Sequence, residues 1–167
     1  KVLMSRYSSQ EDICIGTPIA KRTQKDLEGL IGFFVNTLAL RTQVNKNDSF
    51  KDLLQAVKQT TINAYDHQQT PFEKVVERVV KTRDMSMSPL FQVMFALQNA
   101  TDSTEIELDG LLLSEYGDQE SKTAKFDLTI TINDSDSCFA VEINYCTDLY
   151  KEATIHRMFA HHMDHLQ

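Results

Sequence analysis

The sequence lacks a long hydrophobic run, a secretory leader and any paired cysteine motif. Its apolar runs, such as residues 30–35, are far shorter than the ~20 residues that a transmembrane helix needs. The first residues show no basic region followed by an apolar one, as a signal peptide would. The three cysteines (Cys14, Cys138 and Cys146) include no CxxC spacing, which argues against a disulfide framework and a cysteine metal site. These absences predict a cytoplasmic protein that no membrane segment anchors.

The sequence also lacks a cluster of basic residues. It has 17 Lys and Arg against 24 Asp and Glu, which gives a formal net charge of -7. Nucleic-acid binding depends on neutralising phosphates with clustered Lys and Arg, so nucleic acid is excluded from the predicted partners. With 167 residues, of which 41% are hydrophobic, the chain can form one sizeable core.

Strand and helix patterns follow one another in an order typical of a mixed fold. Residues 12–18 (DICIGTP) predict a strand that ends at Pro18, and residues 33–41 (FFVNTLALR) predict a strand buried on both faces. Residues 90–98 (LFQVMFALQ) predict a central strand. Three more strands are predicted over residues 106–116, 125–133 and 138–146, the last two joined by a hairpin turn. With helices between and after the strands, this order predicts an α+β or mixed α/β fold.

Three helices are predicted after the first strands. Ser49 precedes an apolar stripe at helical spacing, and Asp52 completes a capping box. In the sequence TPFE, Thr70 is predicted as an N-cap, Pro71 as the first helical residue, and Glu73 as the residue that reaches back to the cap. A closing helix is predicted from about residue 151.

Residue spacing alone reveals no catalytic set. The sequence contains no GxSxG elbow, no glycine-rich phosphate loop and no plausible Cys–His pair. The string HHMDH at residues 161–165 places His161 and His165 four residues apart in the closing helix. No HExxH glutamate stands between them and no third ligand is evident, so no metal site is predicted.

Three longer strings occur in a fixed order along the chain. They are IGFFVNTLALR at residues 31–41, HQQTPFEKVVE at 67–77 and RDMSMSPLFQVMF at 83–95. They resemble three core motifs of the condensation domains of nonribosomal peptide synthetases, and the flanking sequences agree with that family over essentially the whole chain. Two positions depart from the family pattern: Gln69, where Asp is usual, and Met87, where Arg is usual.

The resemblance implies a lobe similar to chloramphenicol acetyltransferase, with a mixed, mostly antiparallel sheet and helices packed on it. Residues 1–167 would be the carboxy-terminal lobe of a condensation domain, truncated on its amino-terminal side. The HHxxxDG motif, which the family carries in its amino-terminal lobe, is absent here. No catalytic residue is therefore expected in this chain, and the isolated chain is expected to be inactive. A lobe without its other half is also expected to associate with itself or to need a partner.

The function that the resemblance implies is amide-bond formation. An upstream peptidyl carrier protein would present an aminoacyl or peptidyl thioester, and a downstream carrier would present the attacking amino acid. Both would use 4′-phosphopantetheine arms, so no cofactor bound directly to this chain is expected. The implied partners are the missing amino-terminal lobe, the two carrier proteins and an adjacent adenylation domain. Two alternatives stay open: a non-catalytic module for carrier-protein docking or scaffolding, and an epimerisation domain, which shares the fold.

The resemblance also assigns candidate site residues. The candidates for lining a substrate channel are Thr17, Pro18, Asn36 and Thr37. The motif residues expected to be structural are Arg41, His67, Gln68, Thr70, Pro71, Glu73, Arg83 and Asp84. Asn36 is strongly polar within an apolar strand. Its amide either bonds to neighbouring backbone or faces the channel, where it would hydrogen-bond the carrier arm or a substrate.

Overall fold

Five strands form the framework of the fold. The structure is a computed structural model that describes residues 1–22, 24–27, 29–82, 84–99, 123–135 and 138–164. The strands are β1 (Asp12–Ala20), β2 (Val35–Gln43), β3 (Val93–Asn99), β4 (Leu128–Ser135) and β5 (Cys138–Tyr145). They form one sheet in the order β2-β1-β3-β4-β5. The strand predicted over residues 90–98 is therefore central, as expected.

The sheet is mixed, which confirms the predicted class. β1 and β2 pair antiparallel from Asp12 opposite Gln43 to Ala20 opposite Val35. β4 and β5 also pair antiparallel, and Ser135 lies opposite Cys138, as the predicted hairpin requires. β3 runs parallel to both of its neighbours, β1 and β4. The two outer pairings are thus antiparallel and the two central ones parallel.

In the described part of the chain, four α-helices and one short 3₁₀ helix accompany the sheet. They are α1 (Val2–Ser8), the 3₁₀ helix Lys25–Leu27, α2 (Phe50–Asp66), α3 (Phe72–Val79) and α4 (Glu152–Asp164). Ile155 and Met158 of α4 form a buried cluster with Leu128 of β4, so α4 covers one face of the sheet. Among the described residues, no helix is long and apolar enough to cross a membrane.

The capping box predicted at the start of α2 is confirmed. The N–H of Asp52 donates to the hydroxyl of Ser49 at 3.2 Å, and the N–H of Ser49 donates to the Asp52 carboxylate at 3.3 Å. The two residues satisfy each other's open backbone donors, so the local sequence is sufficient to start the helix here.

The predicted cap of α3 is wrong. Pro71, not Thr70, occupies the N-cap position with extended backbone angles (φ -60°, ψ 139°), and no side chain of the cap bonds to the helix. Thr70 is exposed. The first N–H of the helix, that of Phe72, instead donates to the side chain of Asn36 on β2 at 3.2 Å. A residue distant in sequence therefore replaces the local cap.

The predicted end of β1 and the predicted burial of β2 are also wrong. β1 continues through Pro18 to Ala20. β1 pairs with β3 at a single position, Gly16 opposite Met94. Beyond that point β1 has no pairing with β3 that needs an N–H donor, so the strand can contain a proline. β2 lies at the edge of the sheet, where Val35 is 53% exposed. Its burial follows one face, with Leu38 and Thr42 as the buried positions.

Two predictions fall outside the described residues. They are the strand over residues 106–116 and the structural role of Arg83. The described part of the chain therefore contains five of the six strands that the sequence predicts.

Replacing Gly16 on β1 tests the packing between the sheet and the segment that leads into β3. A Cβ added at Gly16 would overlap the ring of Phe91, which is only 1% exposed. We expect Gly16→Ala to lower the free energy of unfolding by about 1–3 kcal/mol, because a full core has no room for an extra methyl group. Gly29→Ala is the matched control, since a Cβ there meets no heavy atom within 4 Å. Equal denaturation midpoints for the two variants would contradict this packing; recovery in Gly16→Ala/Phe91→Leu would support it.

Candidate functional site

A cleft of about 790 Å³ lies where the start of β2 meets the segments that lead into β3 and β4. Four short segments line it, at residues 33–37, 71–73, 85–88 and 124–127, together with the single residues Lys21, Phe91 and Cys146. The first three segments belong to the three strings at residues 31–41, 67–77 and 83–95. Segments that are far apart in the sequence thus meet at one cavity.

An aromatic cluster joins Phe91 to two of these segments in the lining of the cleft. The ring of Phe91 lies 5.5 Å from the ring of Phe72 and 5.6 Å from that of Phe126, measured between centroids. Such tilted pairs are typical of stable aromatic contacts. Leu90, directly before Phe91, has a φ of 71°, which a bulky residue rarely adopts. The backbone strain at Leu90 coincides with the turn that places Phe91 in the core.

The side chain of Asn36 connects β2 to the turn between α2 and α3. Its Nδ2 donates to the carbonyl of Gln68 and to the carbonyl of Thr70, both at 2.9 Å. Its Oδ1 accepts the N–H of Phe72 at 3.2 Å. Both amide hydrogens and one lone pair are therefore used by backbone groups of this turn. This is the first of the two interpretations left open by the sequence, although the backbone partners are distant in the chain.

Asn36 and Thr37 both line the cleft, whereas Thr17 and Pro18 are not among its lining residues. Within β1, Thr17 lies opposite Leu38 and Pro18 lies opposite Thr37, and the lining begins only after the strand, at Lys21. The assignment of these four residues to a substrate channel stays a prediction.

Two further motif residues, which are not among the lining residues, have side-chain partners. Arg41 donates from Nε to Asp12 Oδ1 at 2.8 Å, and this hydrogen bond holds the pKa of Asp12 below its usual value. The pair is exposed, with 71% of the Arg41 side chain accessible, so its contribution to stability is small. The ring of His67, the C-cap residue of α2, bonds through Nδ1 to the carbonyl of Asn63 at 2.8 Å. The structural roles assigned to Arg41 and His67 stay a prediction.

Asp84 shapes the segment at residues 85–88. Its Oδ1 accepts from the hydroxyl of Ser86 at 2.7 Å and from the N–H of Ser86 at 2.9 Å, and these bonds lower the pKa of Asp84. Such a local turn has a sequence signal, Asp followed two residues later by Ser. Glu73 is exposed in the first turn of α3 and also lines the cleft.

The histidines of α4 lie elsewhere. His161 bonds through Nδ1 to the hydroxyl of Tyr7 at 2.9 Å, a contact between α4 and α1 that the sequence did not predict. His165 lies outside the described residues. Across the described ranges, no group of three His, Cys, Asp or Glu side chains is placed to hold a metal ion.

Replacing Asn36 tests its structural role. We expect Asn36→Ala to lower the free energy of unfolding by about 1–3 kcal/mol, because the turn would lose three hydrogen bonds and the Phe72 N–H would lose its acceptor. Asn63→Ala is the matched control, since that amide accepts from Gln59 on the exposed surface of α2, and we expect a change within about 0.5 kcal/mol. Chemical denaturation of both variants provides the measurement. Equal midpoints would show that Asn36 does not hold the turn.

Comparison with known proteins gives the same family for the whole chain. The family model described as "Condensation domain" matches residues 1–167. Gramicidin S synthase 2 of Brevibacillus brevis is 42% identical over 160 residues, a match that covers 96% of this chain and 4% of that protein. The chain therefore spans only a small part of this relative.

Two solved structures share the fold. A four-domain nonribosomal peptide synthetase bound to AMP and glycine superposes with a TM-score of 0.82 at 23% identity, over 95% of this chain and 13% of that chain. The X-domain in its complex with OxyB, from teicoplanin biosynthesis, gives a TM-score of 0.76 at 26% identity, over 93% of this chain and 35% of that chain. Since the family model covers every residue, the chain belongs to the condensation domain family.

Proposed function

We propose that this chain is the carboxy-terminal lobe of a condensation domain that forms amide bonds in a nonribosomal peptide synthetase. The observation that carries the proposal is the convergence of the three strings that resemble family motifs on one cleft. Helix capping and strand formation can explain each string by itself, but they do not require the three strings to meet. A shared role in lining one cleft explains why they meet. The 42% identity to gramicidin S synthase 2 supports a synthetase context.

The proposed reaction joins two carrier-bound substrates. The amine of the acceptor attacks the thioester carbonyl of the donor, the amide bond forms, the carbon–sulfur bond breaks, and the amine proton leaves while the thiolate takes up a proton. A thioester is already activated, so holding the two groups at attack distance contributes much of the rate. The part proposed for this lobe is positioning. The acid–base residue is proposed to come from the HHxxxDG motif of an amino-terminal lobe.

The lining of the cleft fits substrates that arrive on 4′-phosphopantetheine arms. Lys21 and Lys125 are balanced by Glu73 and Asp127, so neither sign of charge dominates the lining. The rest of the lining includes aromatic rings and the hydroxyl groups of Thr37, Ser86 and Ser88. Such a surface suits the uncharged part of the arm, which carries amide groups on a thin chain. We accordingly propose upstream and downstream carrier proteins and an adjacent adenylation domain as partners, and the cytoplasm as the location.

A second candidate function is protein docking without catalysis. It is favoured by one specific observation: the X-domain that shares this fold at 26% identity was solved in a complex with OxyB. A domain of this family would then recruit a protein partner rather than join substrates. Product formation separates the two functions, because only the first yields an amide.

The test uses a complete two-lobed condensation domain that contains residues 1–167. The domain is mixed with donor and acceptor carrier proteins, each loaded with its aminoacyl thioester, and the acceptor carrier is analysed by mass spectrometry. We expect a dipeptidyl thioester on the acceptor carrier. The segment 1–167 alone is the matched comparison, and we expect no product from it because the HHxxxDG motif is absent.

Two outcomes would contradict the proposal. If the complete domain yields no product while a reference condensation domain acts on the same loaded carriers, amide-bond formation is the wrong function, and retained affinity for a carrier would favour docking. If the segment 1–167 alone yields product, its dependence on an amino-terminal lobe is wrong.

A further inference from the structure

The turn between α2 and α3 places one wall of the cleft, and its backbone donors are used locally. The N–H of His67 bonds to the carbonyl of Ala64, that of Gln68 to the carbonyl of Tyr65, and that of Thr70 to the carbonyl of His67. These bonds define the shape of the turn. They do not fix where the turn lies relative to the sheet.

Three carbonyl groups of the same turn accept hydrogen bonds from side chains at the sheet. Asn36 binds the carbonyls of Gln68 and Thr70, and the carbonyl between them, that of Gln69, accepts the ammonium of Lys21 at 2.9 Å. Three consecutive carbonyls thus receive donors from the end of β1 and the start of β2. Since residues 71–73 follow directly, the position of this cleft wall depends on Asn36 and Lys21.

Lys21 connects the sheet to the turn, because its backbone and its side chain bond to different segments. Its backbone N–H bonds to the carbonyl of Phe34 at 2.8 Å, which extends the β1–β2 ladder by one residue. The neighbouring guanidinium of Arg22 lies 4.6 Å from the centre of the Phe34 ring and donates to the carbonyl of Leu27 at 2.7 Å. The backbone of Lys21 is therefore bonded to Phe34 in the cleft lining, while its side chain is bonded to Gln69, two residues before the lining segment 71–73.

We propose that Lys21 is a positioning residue for amide-bond formation, which holds residues 71–73 in place through the carbonyl of Gln69. This inference rests on the function proposed above. An ammonium donor strengthens the hydrogen bond to the carbonyl, and a displaced wall would disturb the near-attack geometry that the reaction needs. Lys21 touches no reacting atom in this role. The prediction is a loss of turnover without a matching loss of substrate binding or of stability.

The test compares three variants of the complete two-lobed domain with the wild type. Lys21→Met keeps the aliphatic stem but removes the donor, Lys21→Arg restores a cationic donor, and Lys25→Met is the control, an exposed lysine outside the cleft lining. For Lys21→Met we expect kcat to fall about ten-fold while KM for the acceptor carrier changes by less than about three-fold. Lys21→Arg should recover most of the rate, and Lys25→Met should match the wild type in kcat and melting temperature.

Deuterium uptake of the peptide covering residues 68–73 provides a readout that does not require activity. We expect faster uptake in Lys21→Met than in the wild type or in Lys21→Arg. Unchanged uptake would overturn the inference whether or not the domain makes product. A wild-type rate in Lys21→Met, no rescue by Lys21→Arg, or a rate loss that only follows a lower melting temperature would also overturn it. Absence of product from the wild-type domain would instead contradict the proposed function.

Discussion

The hydrogen bonds between the Asn36 side chain and the α2–α3 turn are the constraint on which the cleft depends. A neutral amide meets two carbonyls and one N–H, so every bond is made without burying a charge. The amide also replaces the cap that α3 lacks, because Pro71 offers no side-chain acceptor. One side chain on an edge strand thereby sets both the start of a helix and the distance of that helix from the sheet.

Packing constrains the other side of the cleft. Phe91 contacts rings from two other segments, Phe72 and Phe126, and Gly16 provides the space that its ring occupies. The positive φ of Leu90 is maintained because the burial of Phe91 outweighs a local strain of about 1–3 kcal/mol. Phe72 takes part in both sets of contacts, because its N–H bonds to Asn36 and its ring packs against Phe91. The three strings that resemble the family motifs therefore form one connected structural unit that lines the cleft.

The sequence predicted those features whose causes are local. The Ser49–Asp52 capping box, the central position of β3 and the start of α4 depend on neighbouring residues or on short-range periodicity, and all were predicted. The cap of α3 was mispredicted because its acceptor, Asn36, lies 36 residues away. The exposure of Val35 was missed because an apolar run does not reveal which strand lies at the edge. Of the candidate site residues, Asn36 and Thr37 lie at the cleft, yet the partners of Asn36 and the role of Lys21 required the three-dimensional arrangement.

The claim that Asn36 joins the turn to the sheet is tested most directly by hydrogen exchange at the amide of Phe72, measured by NMR in the wild type and in Asn36→Ala. The amide of Ile130, in the β3–β4 part of the sheet, serves as the internal reference. We expect Asn36→Ala to remove most of the protection at Phe72 beyond any change at Ile130, since the turn opens locally while the sheet stays folded. Equal protection of Phe72 in the two proteins would contradict the claim that Asn36 joins the turn to the sheet and so assembles the cleft.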